Sequence, residues 1–475
     1  MRKETAQAIQ APPDTGEKIG LREQFSFFIV NVGNIPIMTL ASSFLLIFYT
    51  DVVGLKAASI GTLFLIARVL DGFNDPVTGF VVDRFFPKTK MGRFRPYLML
   101  GALFCSLNYL VLWLGPLWSP AGKMVIAYIS YLLLGVTFDL MDIPLNSMIA
   151  VMTDVPKERN RLSLVKTLGY AGGAGLVMLP VPIILERVRD NPDLTAMAYT
   201  ILIIAASAIT LVFSVVGAAG IRERIQPPKD EDTTYSLREM FSVITEKPVR
   251  TVFLAQLLSS AGGAAGGAVT IYYAKYILGS ESIMVVLGLV GVVGGLPMLL
   301  LLPKLVERFG KRTLFAVGYI IPAIANLLKL FAYRNIPWLV ICSILSGFGG
   351  AFTMPMSYGI QADNIDYIDY KRGQRAEGII ASMNSFVLKA SGGIGGALAA
   401  YVLAWTGYIP NAEQQPLSAE RGILLNAILL PAIMALIAGL LFRFQYDITE
   451  ERMAEITQEL RERRAAAGKE EEADV

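Results

Sequence analysis

No histidine occurs anywhere in this 475-residue chain, and there are only two cysteines. The first absence removes imidazole metal ligands and histidine-based nucleophilic triads together. Intramembrane hydrolysis is thereby disfavoured, and no other nucleophile-and-base constellation is recognisable, so an enzyme is not expected. Cys105 and Cys342 fall in separate apolar stretches and read as small core residues with no disulfide implied. Charge is scarce as well: 17% of residues are charged against 54% hydrophobic, and the mean hydropathy is +0.53. Such a composition excludes an ordinary soluble globular protein of this length. The opening "MRKETAQAIQAPPDTGEK" lacks the compact basic, apolar and small-residue order of a cleaved signal, so the first apolar span is expected to be retained. A sensor or scaffold would need a soluble effector domain, and no segment here is long enough for one.

What the chain has in abundance is apolar runs of about 20 residues, the length that crosses about 30 Å of hydrocarbon as a helix. Twelve are found, near 25 to 49, 57 to 82, 97 to 117, 123 to 153, 162 to 185, 196 to 220, 251 to 278, 282 to 303, 314 to 332, 337 to 361, 378 to 406 and 421 to 442. An all-α membrane protein is the expected class. Lys and Arg gather in alternate loops, "RFFPKTKMGRFRP", "KERNR", "RERIQPPKDED", "ERFGKR" and "YKRGQR", while the loops between carry one or two basic residues each. The positive-inside rule then places both termini in the cytoplasm. The tail "EERMAEITQELRERRAAAGKEEEADV" reads as a solvated, charged helix fraying into disorder.

A polar stretch from about 221 to 250 divides the spans six and six. Across it "KMGRFRPYLMLG" matches "ERFGKRTLFAVG", and "TDVPKERNR" resembles "ADNIDYIDYKRGQR", both at a shift of about 215 residues. Weak internal symmetry of this kind is the mark of a major-facilitator transporter, two pseudo-symmetric six-helix halves around a central cavity. The expected organisation is a tail at 1–24, a first half at 25–220, a middle loop at 221–250, a second half at 251–442 and a tail at 443–475.

The apolar runs also carry charge. In "IARVLDGFNDPVTGFV", Asp71 and Asp75 share a helix face with Asn74 beside them and Arg68 one turn earlier. The fourth run adds Asp139, Asp142 and Asn146, the fifth Lys166, and the eleventh Asn384, Ser385 and Lys389. Each ionised group at the bilayer centre costs about 2.5 to 3.5 kcal/mol, so four aspartates facing lipid would cost on the order of 10 to 14 kcal/mol. They must face a wet cavity or one another. Carboxylates outnumber their basic neighbours, which calls for a bound metal cation or a proton held on a raised aspartate. At the basic loops, Arg159, Arg312 and Arg375 alternate with Asp363, Asp366 and Asp369, and ion pairs between the halves there would form a cytoplasmic gate.

The segments "FYTDVVGL", "ARVLDGFNDPVTGF", "GRFRP", "MDIP", "ADNIDYIDYKRGQRAEG" and "TGYIPN" together resemble the glycoside-pentoside-hexuronide:cation symporter family, of which the melibiose permease is the best-known member. The similarity runs through nearly the whole membrane region. It implies that Asp71, Asn74 and Asp75 form a site for sodium, lithium or a proton, with sodium as the metal if coupling is to sodium. It further implies that Asp142 joins sugar binding to coupling, that Lys389 lies near both sites, and that Asn384 and Ser385 are sugar neighbours. The chain departs from the resemblance in places. Ile35 beside Asn34 stands where melibiose transporters have a sugar-binding aspartate, and Asp139 replaces a cation-site threonine. Asn146 and Met354 stand at tryptophan positions, and Thr167 beside Lys166 at an arginine position. The cation site therefore looks kept and the galactoside site altered.

The expected function is cation-coupled symport, by sodium or proton, of a glycoside, pentoside or hexuronide through alternating access. The alternative is an amphiphile or lipid cargo on the same fold. The partners expected are a sugar-like small molecule, a monovalent cation and the lipid bilayer, with no nucleic acid and no resident cofactor. A functional monomer in a plasma membrane, the inner membrane if bacterial, completes the expectation.

Overall fold

Backbone N–H and C=O groups have no water to bond with inside a bilayer, so an apolar chain of this kind must satisfy them within helices. The computed structural model describes residues 18–84, 91–153, 155–224, 242–373 and 377–473, and among these every regular element is helical. The helices are α1 (Leu21–Ile47), α2 (Ala57–Arg84), α3 (Phe94–Trp118), α4 (Lys123–Met152), α5 (Pro156–Met178), α6 (Pro180–Val188) and α7 (Pro192–Gly220). The second half continues with α8 (Lys247–Tyr272), α9 (Ile283–Lys329), α10 (Ile336–Arg372), α11 (Glu377–Trp405), α12 (Leu417–Leu424), α13 (Leu430–Gln445) and α14 (Glu450–Ala473). Wider π-helical turns extend α1 over Phe48–Val52 and α8 over Tyr273–Leu278, and join α12 to α13 over Leu425–Leu429.

Among the described residues, ten stretches are both long and apolar enough to cross a membrane. The twelve expected spans emerge once two features are read. α2 enters as a shorter apolar helix, Ala57–Arg68, among the described residues, and the single stretch from Ile283 is broken at Gly310, where φ 75° and ψ 157° leave the helical region. The outward faces are apolar, as lipid requires: Leu300 is 83% exposed on α9 and Val292 67%.

The chain clusters into two compact units. One comprises Met1–Leu40, Phe73–Val181 and Met197–Glu231; the other comprises Ala41–Gly72, Pro182–Ala196 and Asp232–Val475. By packing, residues 41–72 and 182–196 group with helices of the second half, to which Thr50, Asp51, Thr62 and Arg189 are bonded. In the first unit α3 packs along α4, and α1 lies against α7, where Thr210 Oγ1 donates to the Gly33 carbonyl at 2.7 Å. Gly217 is required there, since a Cβ would stand 2.7 Å from the Ser26 carbonyl oxygen. In the second unit Phe315, Phe352, Met356, Ile360, Phe442 and Tyr446 form a buried apolar core among α9, α10 and α13. The tail is a correction to the sequence reading. Ile456 and Leu460 are buried, Met453 packs on that core, and Arg463 donates to the Tyr370 carbonyl at 2.9 Å.

The duplication is visible as a repeated device. Gly92, with φ 98°, lets the Glu223 carboxylate reach the N-terminus of α3, where it accepts from the backbone N–H groups of Arg93 (2.7 Å), Phe94 and Arg95 (both 2.9 Å). Gly310 is the counterpart, with φ 75° and the Glu450 carboxylate packed where a Cβ would be. Arg95 donates to the Ala218 and Ala219 carbonyls at the end of α7, and Arg312 to the Arg443 carbonyl near the end of α13. In each half a glutamate beyond the sixth span sits against the glycine that opens the third.

Candidate functional site

Three polar groupings occur inside the membrane-length helices, and a fourth gathers around Asp51 at the π-helical turns. The first runs across α1, α4 and α5. Asp142 and Asn146 lie four apart on α4, so they share a face, while Met141 and Leu145 turn into the core. The Asp142 carboxylate accepts from Asn34 Nδ2 through Oδ1 and from Asn146 Nδ2 through Oδ2, both at 2.7 Å. Lys166 Nζ donates to Asn146 Oδ1 and stands 5.4 Å from the centre of the Tyr170 ring. Asn34, Asp142, Asn146 and Lys166 are thus brought into one hydrogen-bonded chain, with Tyr170 an addition. Among the described residues no carboxylate lies within ion-pair distance of Lys166. Asp139 is buried one turn before Asp142, at 4% exposure.

The second grouping is on α2. Arg68 Nη1 and Asp71 Oδ2 form an ion pair at 2.8 Å, both half-buried. The stem of Arg68 fills the space above Gly393 of α11, where a Cβ would lie 1.6 Å from Arg68 Cγ. Asp71 is therefore partly neutralised by its own helix. The side chains of Asn74 and Asp75 lie outside the described residues, so the expected sodium set is only partly in view. Among the described residues no group of three or more Cys, Asp and Glu side chains forms a metal cluster.

The third grouping joins α8, α10 and α11. Asn384 Oδ1 accepts from Gln256 Nε2 at 2.7 Å and from Gln361 Nε2 at 3.0 Å. Ser385 is exposed beside it, Lys389 is half-buried farther along α11, and Met354 is 63% exposed on α10. Gln256 and Gln361 were not anticipated. A lone amide in an apolar span carries no charge to mark it.

The fourth grouping centres on Asp51, whose side chain is 4% exposed. Its carboxylate accepts from Lys275 Nζ (2.8 Å), Tyr276 Oη (2.6 Å), Tyr408 Oη (2.6 Å) and Thr50 Oγ1 (2.8 Å). Its carbonyl accepts from Asn411 Nδ2 at 2.6 Å. The π-helical turns of α1 and α8 carry Asp51, Lys275 and Tyr276, and the segment after α11 supplies Tyr408 and Asn411. The quoted segments "FYTDVVGL" and "TGYIPN" meet here. Nearby, Arg189 lies 3.6 Å from the buried Glu281, and Glu186 accepts from the Ser282 backbone N–H at 2.8 Å.

At the basic loops the described partners are local. Lys311 Nζ bonds both oxygens of Asp363, at 2.8 and 2.9 Å, and Arg159 Nε donates to the Thr153 carbonyl at 2.9 Å. Asp366 and Asp369 are half-buried on α10, and Arg375 lies outside the described residues. Glu246, unanticipated, takes Lys371 and Arg372. Burial alone would raise the Glu246 carboxyl, but the bonds from Lys371 and Arg372 outweigh it and hold the group below its ordinary range. A cavity of about 610 Å³ beneath α14 is lined by Lys311, Arg312, Asp363 and Glu450, and includes none of the intramembrane site residues.

Buried carboxylates and lysines linked by amides in membrane-length helices define a carrier for a polar solute. The chain belongs to the MFS/sugar transport protein family, which it matches over residues 26–450. It is a multi-pass membrane transporter of the major facilitator fold and glycoside-pentoside-hexuronide kind, not an enzyme. It is 28% identical over 98% of its length to the uncharacterized symporter YjmB of Bacillus subtilis (strain 168), all of which is covered. It is 29% identical over 94% of its length to the glucuronide carrier protein homolog of Escherichia coli (strain K12), 97% of which is covered. Among solved structures, the D323A mutant of the nucleoside transporter NupG aligns over 90% of this chain and 100% of that one, with a TM-score of 0.62 and 12% identity, a likeness of fold.

Proposed function

We propose that this protein is a cation-coupled symporter that imports a sugar bearing an acidic group, a uronide or a chemically similar acid, by alternating access. The observation that carries the reading is Lys166: an ammonium in a membrane-length helix whose hydrogen-bond acceptor is an amide oxygen, next to an Asp142 already bonded by two amides. A substrate carboxylate would pair directly with the Lys166 ammonium, which reaches Asp142 only through Asn146, and its hydroxyls would meet Asp142 and the asparagines. The relative named as a glucuronide carrier homolog supports the same class. An amphiphile cargo fits less well, because its alkyl chain would desolvate this polar chain without bonding to it.

The coupling cation, sodium or proton, is assigned to Asp71, Asn74, Asp75 and Asp139. Arg68 pairs with Asp71, and a bound cation lowers the electrostatic cost of closing the site around its carboxylates. Met354, Ser385 and Lys389 are assigned to the substrate as well. The Asp51 network is read as the closure of the outer end, with Arg159, Arg312, Asp363, Asp366, Asp369 and Arg375 at the inner gate. Both termini then lie in the cytoplasm, and the protein works as a monomer in the bacterial inner membrane.

Uptake into proteoliposomes of labelled glycosides, pentosides and uronides, with and without a sodium or pH gradient, tests the whole reading. Asp75→Cys is expected to abolish gradient-driven accumulation while exchange persists. Accumulation that is unchanged in this variant would refute the cation assignment, and a neutral pentoside preferred over every uronide would refute the acidic-sugar class.

A further inference from the structure

The three carboxamides of the second half leave a specific remainder. Asn384 spends its oxygen twice, on Gln256 Nε2 and Gln361 Nε2, so its Nδ2 donor has no partner among the described residues. Gln256 Oε1 is buried and has no partner there either. One spare acceptor and one spare donor therefore flank a single 2.7 Å contact. A hydroxyl group is the substituent that satisfies both, because it donates one hydrogen and accepts through its lone pairs. Asn31 and Asn426 also leave a buried Oδ1 unpaired among the described residues, but their amides donate to helix carbonyls, whereas at Gln256 the spare acceptor stands beside a spare donor on its own bonding partner. Placement agrees. Gln361 lies two turns from the exposed Met354 on the face of α10 turned away from Phe352, Met356 and Ile360, which pack into the apolar core.

We propose that Gln256 and Asn384 read one substrate hydroxyl, which donates to Gln256 Oε1 and accepts from Asn384 Nδ2. Gln361 is a positioning residue: its bond to Asn384 Oδ1, steadied by Ser357 Oγ at 3.3 Å, fixes which end of the asparagine amide is presented. The inference rests on the sugar-transport reading and deepens it. These amides discriminate among sugars by the hydroxyl each carries. A site built to bond a hydroxyl rejects the analogue that lacks it, since its polar groups are then left unpaired.

The test uses full-length protein in nanodiscs and four probes: methyl β-glucuronide, methyl β-glucoside, methyl β-galactoside and methyl β-xyloside. Each monodeoxy analogue of the tightest probe is added, and dissociation constants are read from ligand-dependent thermal shifts. Gln256→Leu is expected to weaken that probe by about fivefold to tenfold. One monodeoxy analogue, already weaker by a similar factor on the wild type, loses nothing further on the variant. Gln361→Glu keeps the side-chain length, loses the donor and turns the Asn384 amide over, so it weakens the parent probe and spares the same analogue. Where Gln256→Leu does not fold, Gln256→Met replaces it. Equal weakening of every analogue, or of none, overturns the proposal. If no probe shifts the wild type, the sugar reading itself fails and this inference falls with it.

Discussion

At the scale of single residues, Asp51 is the buried carboxylate of a dense hydrogen-bonded network. Its carboxylate is nearly inaccessible and collects an ammonium and three hydroxyls. Removing one partner of a buried, hydrogen-bonded ion pair costs about 3 to 5 kcal/mol, because the other charge stays buried alone. Asp51→Asn and Lys275→Met are each expected to lower the melting temperature in detergent by several degrees. The double variant should lose clearly less than the sum, since the two act through one contact. Strict additivity would show the pair to be incidental. Lys166→Met makes a different prediction: the apparent KM for a uronide rises about tenfold or more while that for a neutral glycoside changes little, as measured by competition in proteoliposomes. The sequence announced Asp142, Asn146 and Lys166 through charge in apolar runs. It could not announce Asp51, because an aspartate at the end of a span looks like ordinary boundary chemistry until residues more than 200 positions away are folded against it.

At the scale of elements, helix identity was plain from run length, and the two halves were plain from the paired "KMGRFRPYLMLG" and "ERFGKRTLFAVG". The matched glycines have a physical cause that the repeat alone did not state. Each sits where the backbone takes a positive φ and a carboxylate occupies the Cβ position. Gly92→Ala is therefore expected to lose about 1 to 3 kcal/mol, from the strained backbone and from a Cβ 2.5 Å from Glu223 Cδ. Glu223→Gln, which leaves the fit intact and removes the charge from the helix N-terminus, should lose about 0.5 to 1 kcal/mol. Equal melting temperatures for Gly92→Ala and the wild type would contradict this account. The glutamate itself was illegible in advance, since it follows the sixth span and its helix opens some 130 residues earlier. The tail was misread for a related reason. Met453, Ile456 and Leu460 form a narrow apolar stripe at spacings of three and four, and charge elsewhere on α14 masks it in any average.

At the scale of the whole molecule, two carboxylates outside the spans pull the pH dependence in opposite directions. Burial pushes the Glu281 carboxyl up, and Arg189 and Lys275 only partly pull it back against the like charge of Glu186. A carboxyl raised in the folded state favours its protonated form, so its contribution is largest below the ordinary carboxylate range and fades as pH rises through and above it. Glu246 is the reverse case. Its folded value lies below the ordinary one, so the stability it contributes is present above the ordinary range and lost as pH falls through the lower, folded value. Melting temperatures recorded against pH should therefore respond differently to two neutral variants. Glu281→Gln is expected to raise stability at neutral pH relative to the wild type, with the gain shrinking as the medium is acidified past the carboxylate range. Glu246→Gln should lower stability at neutral pH, and the deficit should close at the acid end, where the wild-type carboxylate becomes protonated. Because Glu246 ties α8 to Lys371 and Arg372 at the end of α10, whereas Glu281 lies at the far end of α8 beside Arg189, the two profiles report on opposite ends of one helix. If both variants displaced the curve by a constant amount at every pH, neither carboxylate would be titrating with folding, and the two ends of α8 would be held by packing alone.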